Sequence, residues 1–114
     1  MTTSEPRTSA PLPPVESPEA RVETLRAELE AGADRARQAV IQYEIGYVTE
    51  RALGNEPQAV REYLAAYNLD PTFRPPLFAL VSIFERRRSF KNLVRLYDAE
   101  ARGATSAREA ASAS

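Results

Sequence analysis

Between Pro18 and Ala101 the large apolar residues recur every three or four positions, in five stretches interrupted at Gly32, Gly54-Asn55, Pro71 and Ser89. That spacing places them on one face of a helix, and no stretch shows the strict alternation of a half-buried strand. The pattern predicts an all-α fold, and the short connections make successive helices antiparallel neighbours. The first helix is expected over residues 18–31, with Ser17 as N-cap, Pro18 in the first turn and a thin stripe of Val22, Leu25 and Leu29. Gly32 closes it. Asp34 caps a second helix reaching about Leu53, whose apolar positions Val40, Ile41, Tyr43, Ile45, Tyr47 and Val48 cover more than one face and so require neighbours on two sides.

A third helix opens at Glu56-Pro57 and ends before Pro71, with Ala59, Val60, Tyr63, Leu64, Ala66 and Tyr67 on its apolar side. A fourth runs from Pro75-Pro76 to about Arg87 through Leu77, Leu80, Val81 and Phe84. A fifth, capped by Ser89, carries Phe90, Leu93, Val94, Leu96, Tyr97 and Ala101 and is expected to stop at Gly103. The remaining residues, 103–114, read as a flexible Ala/Ser tail or as the start of a further repeat.

A chain of 114 residues with 43% hydrophobic content fills one modest core. It contains no cysteine and no histidine. Thiolate metal sites, disulfides and thiol nucleophiles are thereby excluded, and the commonest general base and metal ligand is missing. Glu44, Glu50, Glu56 and Glu62 lack histidine partners, an apolar pocket or a glycine-rich phosphate loop, and read as surface charges. The sequence therefore points away from an enzyme: no catalytic residue, cofactor or metal site is expected.

Residues 1–17 hold four prolines, several Ser and Thr and no aromatic residue, and are expected to form a disordered arm. An apolar run of about seven residues would be needed for a secretory signal, and about 18 for a membrane span; neither occurs. A cytoplasmic location and no membrane partner follow as expectations.

The run from Leu53 to Pro71 resembles the second half of a tetratricopeptide (TPR) repeat. Gly54, Ala59, Tyr63, Ala66 and Pro71 match that family's turn glycine, small residue, aromatic, second small residue and closing proline at the family's own spacings. Ile45-Gly46 is similar to the Leu-Gly pair of the first helix but lies one residue further from Gly54. Counting on by the family period of about 34 residues places Leu80 and Phe84 on first-helix core positions, Phe90 on the aromatic opening the second helix, and Tyr97 on the second-helix aromatic. Val81, Arg88, Leu93 and Glu100 replace small residues of the pattern, so the second repeat is degenerate. The resemblance implies two helical hairpins, at about 40–73 and 74–102, stacked as a short right-handed solenoid behind the helix of residues 18–31. It also implies a concave face that grips an extended or helical segment of a partner protein.

Tyr43 and Tyr47 are candidates for that face, while Tyr63 matches a packing position. The second candidate surface is basic. The net charge is −1, yet residues 71–102 carry six Arg and Lys91 against Glu85, Asp98 and Glu100. Arg74, Arg86, Arg87, Arg88, Lys91 and Arg95 form the strongest local charge feature. They read either as a solvated helix end favoured by the helix dipole or as a surface for a partner of acidic character. Nucleic acid is disfavoured by the near-zero net charge and the lack of a recognition motif. A repeat of this kind cannot bury its apolar face alone, about three are normally needed for independent stability, and two are expected here. Self-association through the open terminal hairpin, or membership of a longer array, is the alternative expectation.

Overall fold

The computed structural model describes residues 17–113, with side chains as far as Ala104. It is all-α: helices α1 (Pro18–Glu30), α2 (Arg35–Arg51), α3 (Glu56–Leu69), α4 (Pro75–Arg86) and α5 (Phe90–Ala113) follow one another, with no strand among the described residues. No helix among them is long and apolar enough to cross a membrane. The expected disordered arm lies almost wholly outside the described residues.

Local chemistry accounts for the helix starts. The Ser17, Asp34 and Asn55 side chains accept hydrogen bonds from the backbone N–H groups of Ala20 (3.1 Å), Arg37 (2.8 Å) and Gln58 (3.2 Å), satisfying donors that the helix cannot. Proline occupies the first turn of α1, α3 and α4. Helix α4 has no side-chain cap. Asp70 instead shapes the turn before it, accepting from the Thr72 N–H at 3.1 Å and hydroxyl at 2.5 Å.

Three helix ends are closed by left-handed residues, Gly32 (φ 95°), Gly54 (φ 65°) and Arg88 (φ 54°). At Arg88 the closing bonds run from Ser89 N–H to the Phe84 carbonyl (2.8 Å) and from Arg88 N–H to the Glu85 carbonyl (3.0 Å), the Schellman arrangement. At Gly54 the ring is wider: Leu53 N–H reaches the Val48 carbonyl five residues back, and Asn55 N–H the Thr49 carbonyl six residues back.

Gly103 does not end the last helix, contrary to expectation; α5 continues to Ala113. A glycine inside a helix costs only about 1 kcal/mol, and the alanine-rich sequence beyond it favours helix.

Each helix packs on the next in order along the chain. Leu25, Ile41 and Ile45 form one core between α1 and α2. A larger core joins α3, α4 and α5 through Tyr63, Leu80, Ile83, Phe84, Leu93 and Leu96. Helix α2 packs tightly on α3, where a β-carbon on Gly46 would stand 2.8 Å from two ring carbons of the fully buried Tyr63. Glu62, 4% exposed, binds α1, α2 and α3 together by accepting from Arg26 (2.5 Å), Gln42 and Gln58 (2.7 Å).

Helix α5 departs from its expected register. Phe90 and Tyr97, expected from the 34-residue count on the aromatic positions of a second helix, are 60% and 51% exposed, and α5 buries Leu93 and Leu96 instead. The helix presents the 93/96 edge to α4.

Candidate functional site

The candidate site is an aromatic groove. Its floor is laid by α2, which has neighbours on both sides and therefore cannot bury every aromatic residue it carries. Tyr43 and Tyr47 stand one turn apart on its outer side with ring centroids 6.3 Å apart. The Tyr43 ring is held in place by Tyr63 at 5.6 Å and by Phe73, edge-on, at 5.7 Å. Tyr47 is 46% exposed and carries the Arg51 guanidinium 5.2 Å above its ring. Helix α4 supplies the opposite wall with Pro75, Ala79, Ser82 and Phe78, which is 64% exposed.

Two clefts meet at the tyrosines. One of about 300 Å³ lies between α2 and α4, and one of about 370 Å³ lies toward α1, bounded by Arg21, Glu44 and Val48. Arg21 pairs with Glu44 at 3.6 Å across the second cleft. The Tyr63 hydroxyl beneath the groove donates to Glu50 at 2.7 Å. Burial, then that hydrogen bond to a carboxylate, raises the Tyr63 hydroxyl far above the ordinary phenol range. Burial also raises Tyr43. The groove thus presents flat apolar rings, uncharged phenols and charges that already have partners.

The structure divides the basic cluster. Arg74 begins α4 and Arg86 ends it, so about 18 Å of helix separates them. Arg74 pairs with Glu100 (2.6 Å) and donates to the Pro71 carbonyl (2.9 Å). Glu100 in turn accepts from the Tyr67 hydroxyl at 2.5 Å. Its carboxyl is held below the usual range by Arg74 first and Tyr67 second, while burial and the same bond push Tyr67 up to about 12. Arg86 pairs with Glu56 and with Glu50 at 3.8 Å, and Arg87 reaches Glu56 at 3.1 Å. These two guanidiniums fasten the end of α4 to the neighbouring turn. Arg88 adopts the left-handed closing conformation with its guanidinium 6.0 Å from the Phe90 ring. Lys91 and Arg95 have no ion pair among the described residues.

Tyr43 and Tyr47 therefore share one surface, which the arginines do not join. Phe78 was not among the sequence candidates, although its position off the Leu77/Leu80/Phe84 stripe marks it as outward-facing. The partnership of Glu50 with Tyr63 had no sequence signal, because it depends on how α2 and α3 pack. No protein-family model, curated protein or solved structure matches the chain.

Proposed function

We propose that the chain is a non-catalytic, TPR-like interaction module whose first helices, α2 and α4, present a concave aromatic face to a segment of a partner protein. The observation that carries this reading is the convergence of Tyr43 and Tyr47 on α2 with Phe78 on α4, three partly or largely exposed rings on helices that are not consecutive. Monomeric surfaces expose single apolar residues freely, whereas a cluster of rings walling a cleft is the form a binding site takes.

The repeat reading draws support from the backbone. Gly54 and Arg88 stand 34 residues apart and both close a helix in the left-handed region, the first at φ 65° and the second at φ 54°. Gly46 lies under Tyr63 as the small residue of a first helix would. The extra residue between Gly46 and Gly54 is absorbed by the wide five- and six-residue closing rings.

Affinity capture with the intact chain, compared with a Tyr47→Ala/Phe78→Ala variant, tests the proposal. A partner held by the native chain and lost by the variant is expected; identical capture by both would overturn it. Charge reversal at Arg86 and Arg87 is a poor probe of binding, since it would set new carboxylates against Glu50 and Glu56. Selection of an acidic partner falls instead to Arg88, Lys91 and Arg95, and a triple Glu variant there reads it directly.

One observation favours a second reading, self-association. Phe90, Val94 and Tyr97 form an exposed stripe on α5, at 60%, 65% and 51%. Light scattering over a range of concentrations decides it, and an invariant monomer removes this reading.

A further inference from the structure

We infer that the aromatic groove receives the chain's own Pro11-Leu12-Pro13-Pro14 segment, so that the N-terminal arm occupies in cis the surface offered to a partner. The inference rests on reading the groove as a docking surface. Three observations select this occupant.

The first is position. Arg21 pairs with Glu44 and Glu28 with Arg37, so α1 runs antiparallel to α2. Ser17 lies one turn beyond Arg21, about 6 Å along the axis, which sets it level with the last turns of α2 that carry Tyr47 and Arg51. Arg21 itself borders the cleft beside Tyr43 and Tyr47. Ser17, the residue to which the arm is joined, therefore stands at the rim of the groove. At about 3.1 Å per residue an extended proline-rich segment crosses one helix spacing of about 8–10 Å in three residues, so Pro11–Pro14 can span from α1 past α2 toward Phe78.

The second is chemistry. Proline-rich segments are recognised by aromatic-lined grooves because their rings stack on flat aromatic faces and their pre-set φ angles leave little entropy to lose. Their carbonyls point outward and accept hydrogen bonds. The Tyr43 and Tyr47 hydroxyls make no hydrogen bond among the described residues and lie in the groove as donors.

The third is charge. Thr8 to Val15 contains no charged residue. The groove is bordered by two carboxylates, Glu44 and Glu50, and two guanidiniums, Arg21 and Arg51, so its rim carries no net charge and matches an uncharged segment. A short tether also raises the local concentration of the segment to the order of millimolar, enough to fill a weak site.

The absence of cysteine makes the test direct. A nitroxide attached through Ala10→Cys in the full chain is expected to broaden the amide signals of Phe78–Ser82 on α4 as well as those of Tyr47–Arg51. The broadening on α4 should be lost when Pro11, Pro13 and Pro14 are changed to Ser, and lost again in Tyr47→Ala/Phe78→Ala, where both side chains are exposed enough for the fold to tolerate truncation. An unchanged pattern in the proline variant would overturn the inference. So would broadening in a mixture of isotope-labelled and nitroxide-bearing chains, which would place the arm on a second copy. A synthetic peptide of residues 8–16 is then added to the proline variant. Shifts at Tyr47 and Phe78 without broadening in cis would overturn cis occupancy while leaving the groove a docking surface. Neither broadening nor shifts would reject the arm as its ligand altogether, and the groove's role then stands or falls on the capture experiment.

Discussion

Truncation of Glu62 is the perturbation that most directly examines how the helices are held in register. Its carboxylate lies 4% exposed and gathers Arg26 of α1, Gln42 of α2 and Gln58 of α3. In Glu62→Ala the Arg26 side chain, 44% exposed, turns to water, so the loss of that pair contributes only about 0–1 kcal/mol. Gln42 is 8% exposed and has no such escape. Stranding its amide costs about 1–3 kcal/mol. Removal of one buried methylene adds about 0.8 kcal/mol. The expected loss is about 2–5 kcal/mol, a large share of the roughly 5–15 kcal/mol that holds a domain folded. In urea unfolding followed by helical circular dichroism, the midpoint should fall by about 1–2 M with little change in slope. Glu62→Met with Gln42→Leu removes donor and acceptor together, and should recover much of the loss. A Glu62→Ala midpoint within error of the native one, or a double variant whose losses simply add, would refute the account.

Two helical glycines should respond oppositely to the same change. Gly46→Ala drives a β-carbon into the Tyr63 ring, and overpacking of about 1–3 kcal/mol outweighs the helix-propensity gain of about 1 kcal/mol. Gly103→Ala meets nothing within 4 Å and should stabilise by up to about 1 kcal/mol; thermal melts of the two variants moving in the same direction would contradict this. Arg88→Gly relieves a left-handed conformation worth about 1–2 kcal/mol to an L-residue, against about 0.4–1 kcal/mol of extra unfolded-chain entropy, so its melting temperature should rise. A fall would mean that the Arg88 side chain contributes more than its backbone conformation costs. Finally, stability should decline at both ends of the pH scale. Tyr67 is neutral in the fold up to about 12, so its contribution is whole below the unfolded phenol value of about 10 and is lost as the pH climbs between the two. Glu100 is depressed, so its contribution is present above the ordinary carboxylate value of about 4 and disappears as the pH drops through its lower folded value. Tyr67→Phe should flatten the alkaline limb of a plot of urea midpoint against pH and Glu100→Gln the acid limb; unchanged limbs would reject these assignments.

Each helix start was legible because its cause is local. Ser17, Asp34 and Asn55 cap the N–H groups three residues on, and the prolines of α1, α3 and α4 sit where no donor is needed. The last helix end was misjudged for an equally physical reason. Gly103 is compatible with a C-cap, but only a left-handed turn makes it one, and the helix-forming residues on either side leave it inside α5. Tyr43 and Tyr47 could be singled out because α2 carries apolar residues on more than one face. Phe78 completes their groove from a helix about 30 positions along the chain, and that proximity is a property of packing.

The basic run shows the same division. Charge composition placed six cations between Arg74 and Arg95, and their sum suggested a single surface. The fold sets Arg74 against Glu100 at one end of α4 and Arg86 and Arg87 against Glu56 at the other. Periodicity, caps and turn residues act within a few residues of one another, so the sequence alone determined where helices begin and that the protein is all-α. Which aromatic residues stay open, which carboxylate takes which arginine, and which edge of α5 is buried depend on contacts between helices. Those contacts follow from side-chain volumes meeting at an interface, at Gly46 against Tyr63 and at Leu93 in the core shared with α4, and only the tertiary structure decided them.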